Sequence, residues 1–173
     1  MSATADQNQI IVSALMDGRE EILRAGDPVV RPDETASIVI LGDIALAGGV
    51  GKAIAQYGPG YPFAHCPAHL FSADLVCINL ECCLSKRGGL VEPKPVPLVG
   101  DPSYIEAIPA AAQLVANCAN NHFLDMGWAA ALDSVATLGR AGIRYCGLAG
   151  DHIEPQPLIC HTRAGTVGIL GFA

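Results

Sequence analysis

Three short apolar runs in this chain each end in a cluster of polar side chains. They are residues 38–41 (Ile-Val-Ile-Leu), 75–78 (Leu-Val-Cys-Ile) and 114–116 (Leu-Val-Ala). Continuous apolar runs of this length suit strands buried on both faces, as in a parallel sheet covered by helices. The first run exits into Gly42-Asp43 and the second into Asn79-Leu80-Glu81. The third exits into Asn117-Cys118-Ala119-Asn120-Asn121-His122, with Asp125 and Gly127 just beyond. Open α/β sheets keep their ligands at the carboxyl ends of their strands, so three polar exits in one chain restrict both fold and site. Each exit also has a plainer explanation. Asp43 suits a strand-end turn, Asn120-Asn121 suits a turn, and Asp125 suits the cap of the helix that follows.

The rest of the chain fits the same plan. Trp128, Ala131, Leu132, Val135 and Leu138 form one face of a helix that stops near Gly142. Residues 143–146 read as a fourth strand, and 158–161 and 166–172 as two more, joined at Ala164-Gly165. Residues 61–71 and 102–112 read as helices, the second ended or kinked by Pro109. Residues 10–24 read as a helix, or two short ones broken near Gly18, and residues 26–37 as a linker. The expected organisation is therefore a helical extension and linker over 1–36 and an α/β domain over 37–173. The final run, Val167 to Phe172, is very apolar, which suggests part of a longer domain.

Composition closes off several function classes. The formal net charge of −7 and the lack of a basic run argue against a nucleic-acid or anionic-membrane binder. Seven cysteines without a C-x-x-C pair, several inside apolar runs, suggest reduced buried thiols and a cytoplasmic protein. No signal peptide or membrane-spanning run is visible. Two motifs invite a reading and fail it. Around Gly51-Lys52 a phosphate-binding loop would need glycine at Leu46 and a hydroxyl at Ala53. His65 and His69 stand four apart, but Cys66 occupies the place of the glutamate in H-E-x-x-H. The loop over 85–100 carries Lys86, Arg87 and Lys94, able to meet an anionic substrate or simply to face solvent.

Taken together, Gly42-Asp43, Asn79-Leu80-Glu81 and Ala119-Asn120-Asn121-His122 with Asp125 and Gly127 resemble the CapA family of poly-γ-glutamate capsule synthesis proteins. Tyr61-Pro62-Phe63, Ala73-Asp74-Leu75 and Gly147 belong to the same likeness, which runs from about Ile38 to Ala173. That family resembles the calcineurin-like metallophosphoesterases. The resemblance implies the N-terminal portion of a four-layer α/β/β/α sandwich, incomplete at its C-terminus, with metal at one sheet edge. It implies that Asp43, Asn79, Glu81 and Asn121 are metal ligands, that His122 is a proton donor, and that Asp125 orients His122 or caps the helix. Oxygen ligands of this kind suit Mn²⁺ or Mg²⁺ more than Zn²⁺.

Two departures weaken a complete two-metal site. The Asp-x-His of the metallophosphoesterase first motif reads Asp43-Ile44-Ala45 here, and the downstream histidine motifs are not within the chain; His152 and His161 do not replace them. The resemblance thus leaves two functions open. One is metal-dependent hydrolysis of a phosphoester or amide-type bond, with an anionic polymer or phosphorylated small molecule as substrate. The other is a non-catalytic part in making or exporting an anionic capsule polymer.

Overall fold

The computed structural model describes residues 12–16, 19–23, 35–150 and 156–173. The chain divides into two compact units, Met1–Pro32 and Asp33–Ala173. The first holds an antiparallel hairpin of β1 (Val12–Met16) and β2 (Arg19–Leu23) where a helix was expected. The register pairs Met16 with Arg19, and the two residues between them are Asp17-Gly18. Asp-Gly at the centre of a two-residue connection is a strong hairpin signal, and it outweighs the loose helical spacing of apolar residues. The linker expected over 26–37 lies largely outside the described residues.

The second unit is built on a four-stranded parallel sheet in the order β3 (Ile38–Ile44), β4 (Leu75–Leu80), β7 (Leu114–Asn117), β8 (Arg144–Cys146). Helix α1 (Gly48–Tyr57) follows β3, and helix α2 (Trp128–Arg140) connects β7 to β8. Both helices pack on one face. Ile54 of α1 and Ala131 and Leu138 of α2 share a core with Val76, Ile78, Leu80, Leu114 and Ala116. The alternate residues of the same strands face the other way. Leu75, Val115 and Cys146 form a second core with Cys160, joined by Leu158, Val167 and Ile169 of the hairpin β9 (Leu158–Thr162) and β10 (Gly165–Ile169). The α/β fold with a parallel central sheet is thus the one the apolar runs foretell, and the period-two alternation of β4 and β7 divides the two cores.

A short parallel pair, β5 (Cys83–Leu84) with β6 (Val99–Gly100), brackets the loop between them. Three segments differ from expectation. Residues 61–71 form two short 3₁₀ turns, Tyr61–Phe63 and Ala68–Phe71, so His65 and His69 do not share a helical face. The expected helix over 102–112 is a 3₁₀ segment, Pro102–Ala107, capped by Asp101, whose carboxylate accepts from the Ser103 N–H. Pro109 lacks the N–H that a longer helix would need. The third difference is in β3, which continues through Asp43. Its pairing with β4 steps from Ile40–Cys77 to Asp43–Asn79, so Leu41 and Gly42 stand opposite Ile78 alone. That is a β-bulge in the edge strand beside the polar exits.

Candidate functional site

The parallel register sets the site. Asp43 pairs with Asn79, Asn79 with Asn117, and Asn117 with Cys146, so a row of polar residues crosses the sheet at the carboxyl ends of its strands. Partnered residues in a sheet project to the same face. Glu81 follows β4, its N–H donating to the Ile44 carbonyl at 3.0 Å. The three expected ligands of the first two exits therefore meet. Asn79 Nδ2 donates to Asp43 Oδ1 at 2.8 Å and also to Glu81 Oε2. One amide nitrogen with two hydrogens serves two carboxylates.

Beyond β7 the chain makes a tight turn. The Asn120 Oδ1 accepts the backbone N–H groups of His122 and Phe123 at 3.1 and 2.9 Å. Phe123 is fully buried in the core on the helix side, an anchor of about 2–3 kcal/mol from its apolar area. The other end of the Asn120 amide points back to the sheet, where Nδ2 donates to Asn79 Oδ1 at 3.1 Å and to the Leu80 carbonyl at 2.9 Å. Asn117 Nδ2 donates to the same Asn79 oxygen at 3.0 Å. Asn117 and Asn120 carry no role in the motif reading, yet they join the second exit to the third. Their signal in the sequence was the clustering of three asparagines within five residues.

Asp125 is 3 % exposed. Its Oδ2 meets His122 Nδ1 at 2.8 Å and accepts the Leu98 N–H at 2.8 Å, while its Oδ1 takes the Lys94 ammonium. Burial by itself pushes the carboxyl pKa up. The hydrogen bonds from Lys94, His122 and the Leu98 N–H, with the charge of Lys94, outweigh it and hold Asp125 below the usual carboxylate range. An ionised Asp125 accepts from Nδ1, so that nitrogen carries the proton and Nε2 is the ring atom left for chemistry. Asp125 orients His122; it does not cap α2, whose N-cap is Gly127 with no side-chain cap bond.

Lys94 also donates to the Asn121 carbonyl, tying the proline-rich loop to the turn. Lys86 is held by Asp101 at 2.8 Å. The loop's lysines are therefore engaged with acids of this chain. Asn121 itself is exposed, and no hydrogen bond joins its side chain to Asp43, Asn79 or Glu81. His161 sits on β9 against Thr166, and His152 lies outside the described residues.

The donor chemistry of the first two exits fits a hard divalent cation. Two carboxylates converge on a single nitrogen at an exposed sheet edge, and both are oxygen donors. Among the described residues no set of three or more His, Cys, Asp or Glu side chains gathers around one point. Asp43 and Glu81 are the two residues of this set whose carboxylate oxygens could take part in holding such an ion.

A cleft of about 690 Å³ adjoins the turn, lined among others by Asn120, Leu124, Gly147, Leu148, Leu158 and Phe172. Among the described residues no helix is long and apolar enough to cross a membrane.

Known sequences resemble this chain. The chain is 27 % identical over 147 residues to the capsule biosynthesis protein CapA of Bacillus anthracis, which covers 82 % of this chain and 36 % of that protein. It is 36 % identical over 80 residues to a probable polyglutamine synthesis accessory protein of Mycobacterium tuberculosis, covering 46 % of this chain and 21 % of that one. The chain thus spans about a third or less of the length of these relatives. The sequence pattern of the bacterial capsule synthesis protein PGA_cap matches residues 37–173. That match takes in all three polar exits and the sheet that carries them, and the chain belongs to the bacterial capsule synthesis (PGA_cap) family.

Proposed function

We propose that this chain carries one side of a metal-dependent hydrolytic site that acts on a phosphoester or amide-type bond during the synthesis of an anionic, poly-glutamate-like capsule polymer. The observation that carries the reading is the joining of the Asp43–Glu81 carboxylate pair to the His122–Asp125 pair through Asn79 and Asn120. Asp43 and Glu81 would hold a divalent ion, Mn²⁺ or Mg²⁺ rather than Zn²⁺, by their oxygens. Such an ion, when bound, polarises the scissile bond and makes its water more acidic. Asp125 keeps the proton of His122 on Nδ1, so a second proton on Nε2 is the one available to a leaving oxygen or nitrogen. Asn121 is exposed at the same turn.

The test uses the chain together with the remaining length its relatives possess. Stoichiometric Mn²⁺ in mass spectrometry is expected, with hydrolysis of a chromogenic phosphodiester that falls by about 10²–10⁴ in His122→Ala, the usual worth of a proton donor. Metal-free protein, or a His122→Ala rate equal to the parent's, would sink the reading. A second reading is favoured by one residue. Ala45 stands where the first motif of metallophosphoesterases has its histidine, which suits a member that assists polymer synthesis or export without catalysis.

A further inference from the structure

The orientation of a side-chain amide is normally ambiguous, because its oxygen and nitrogen look alike. Here it is decided by backbone atoms. Asn120 Oδ1 accepts two main-chain N–H groups, those of His122 and Phe123, and an N–H can only donate. Its Nδ2 must then be the atom turned to Asn79 and to the Leu80 carbonyl. The same logic holds for Asn117. Its Oδ1 accepts the Ala119 N–H at 3.2 Å, and its Nδ2 donates to Asn79. Asn79 thus meets two donors on one side and two carboxylates on the other. Only one orientation satisfies all four: oxygen toward the asparagines, nitrogen toward Asp43 and Glu81.

We infer that Asn79 is a neutral spacer that holds the Asp43–Glu81 pair together through its amide nitrogen, locked in that sense by Asn117 and Asn120, and is not itself an oxygen ligand for a cation. This rests on the proposed cation site at Asp43 and Glu81 and names the residues that set its charge. The amide nitrogen neutralises nothing, but it gives each carboxylate a donor and so lets two like charges sit together. An aspartate at this position would keep the bonds from Asn117 and Asn120 with one oxygen and turn the other toward Asp43 and Glu81. The pair would become a three-carboxylate site, whose like charges are relieved by a shared proton or by a bound cation. Asn120 is then a positioning residue. It links the backbone of the His122 turn to the donor set of the carboxylates, with no contact to the cation.

The experiment compares the parent, Asn79→Asp and Asp43→Asn by thermal unfolding and calorimetric titration, first in EDTA and then with Mn²⁺ alone. Asn79→Asp is expected to melt below the parent in EDTA. It should then bind Mn²⁺ about tenfold or more tightly than the parent, since affinity rises with the charge count of the ligands. Binding no tighter than the parent's would overturn the inference. Parent binding that Asp43→Asn abolishes supports the native cation site whatever Asn79→Asp does. Binding by Asn79→Asp alone supports the spacer and removes the native cation site. Should Asn79→Asp not fold, nuclear Overhauser effects on the parent decide the orientation without metal. Contacts from the Asn79 amide protons to the methylenes of Asp43 and Glu81 are expected. Contacts to the Asn117 and Asn120 amides in their place would overturn it.

Discussion

Asp125→Asn isolates the ion pair that fastens the loop over 85–100 to the His122 turn. An asparagine can place its oxygen where Oδ2 lies, keeping the bonds to His122 Nδ1 and the Leu98 N–H. Its NH₂ then faces the Lys94 ammonium, donor against donor. One charge-assisted hydrogen bond is lost, worth about 1.5–3 kcal/mol. The Lys94 side chain is 29 % exposed, so water recovers part of its solvation, and the loss stays below the 3–5 kcal/mol typical of a fully buried broken pair. For a domain of this size about 2 kcal/mol lowers Tm by about 4–8 °C. Scanning calorimetry at pH 7 reads this directly, and Lys94→Met completes a double-mutant cycle. A coupling of about 1–3 kcal/mol is expected for partners in direct contact. The pH dependence adds a sign. The folded pKa of Asp125 lies below its unfolded value, so its contribution is complete above the ordinary carboxylate pKa and is lost as pH falls through the depressed one. The gap between parent and Asp125→Asn must therefore close in acid. A variant within about 0.5 kcal/mol of the parent at pH 7, or strictly additive losses in the cycle, would refute the ion-pair argument.

Other outcomes are open to simpler measurements. Gly171→Ala drives a methyl into Asn117 Oδ1, and Gly147→Ala, at φ 79°, places one 2.6 Å from the same atom; each should lower stability by about 1–3 kcal/mol and broaden the Asn79 side-chain amide signals, and unchanged signals would show that Asn117 does not depend on these glycines. Asp101, bonded to Lys86 and to the backbone and hydroxyl of Ser103, has its pKa pulled down to about 2; an NMR titration should find it there, Lys86→Ala should raise it, and the stability it lends is lost as pH falls toward that value. Burial pushes the Cys82 thiol to about 12 and raises Cys118 further, so native alkylation at pH 8 should modify half-exposed Cys66 first; early labelling of Cys118 would contradict the described core.

The parallel sheet was legible because β3, β4 and β7 begin as continuous apolar runs; β4 and β7 are buried as such runs suggest, whereas β3 is an edge strand that leaves Ile40 exposed. The motif residues Asp43, Asn79 and Glu81 were legible because each stands within three residues of the end of such a run, and the register brings them together. What the sequence hid was local. The hairpin over Val12–Met16 and Arg19–Leu23 turns on a single dipeptide that a helical periodicity masked. The 3₁₀ segments have no distinct period, so 61–71 and 102–112 read as helices. Asn120 and Lys94 were hard to assign because their work is directional. Which end of an amide faces which neighbour, and which acid a lysine from a distant loop meets, follow from tertiary placement and leave no periodic trace.

The bulge in β3 is also a device for counting. Side chains along a strand alternate with period two, so a regular pairing would set Gly42 beside Asn79 and send residue 43 to the helix-covered side, among Ile78 and Leu80. The extra residue changes the parity of everything after it. A strand that begins with its odd positions buried can thus end with its acid on the open face, without any change in the apolar run before it. Deleting Leu41 or Gly42 would remove the bulge and still leave Asp43 opposite Asn79, whereas the strand at its present length, paired without a bulge, would deliver a carboxylate into hydrocarbon. Spacing within this segment, more than the identity of any single residue in it, decides on which side of the sheet the acid arrives.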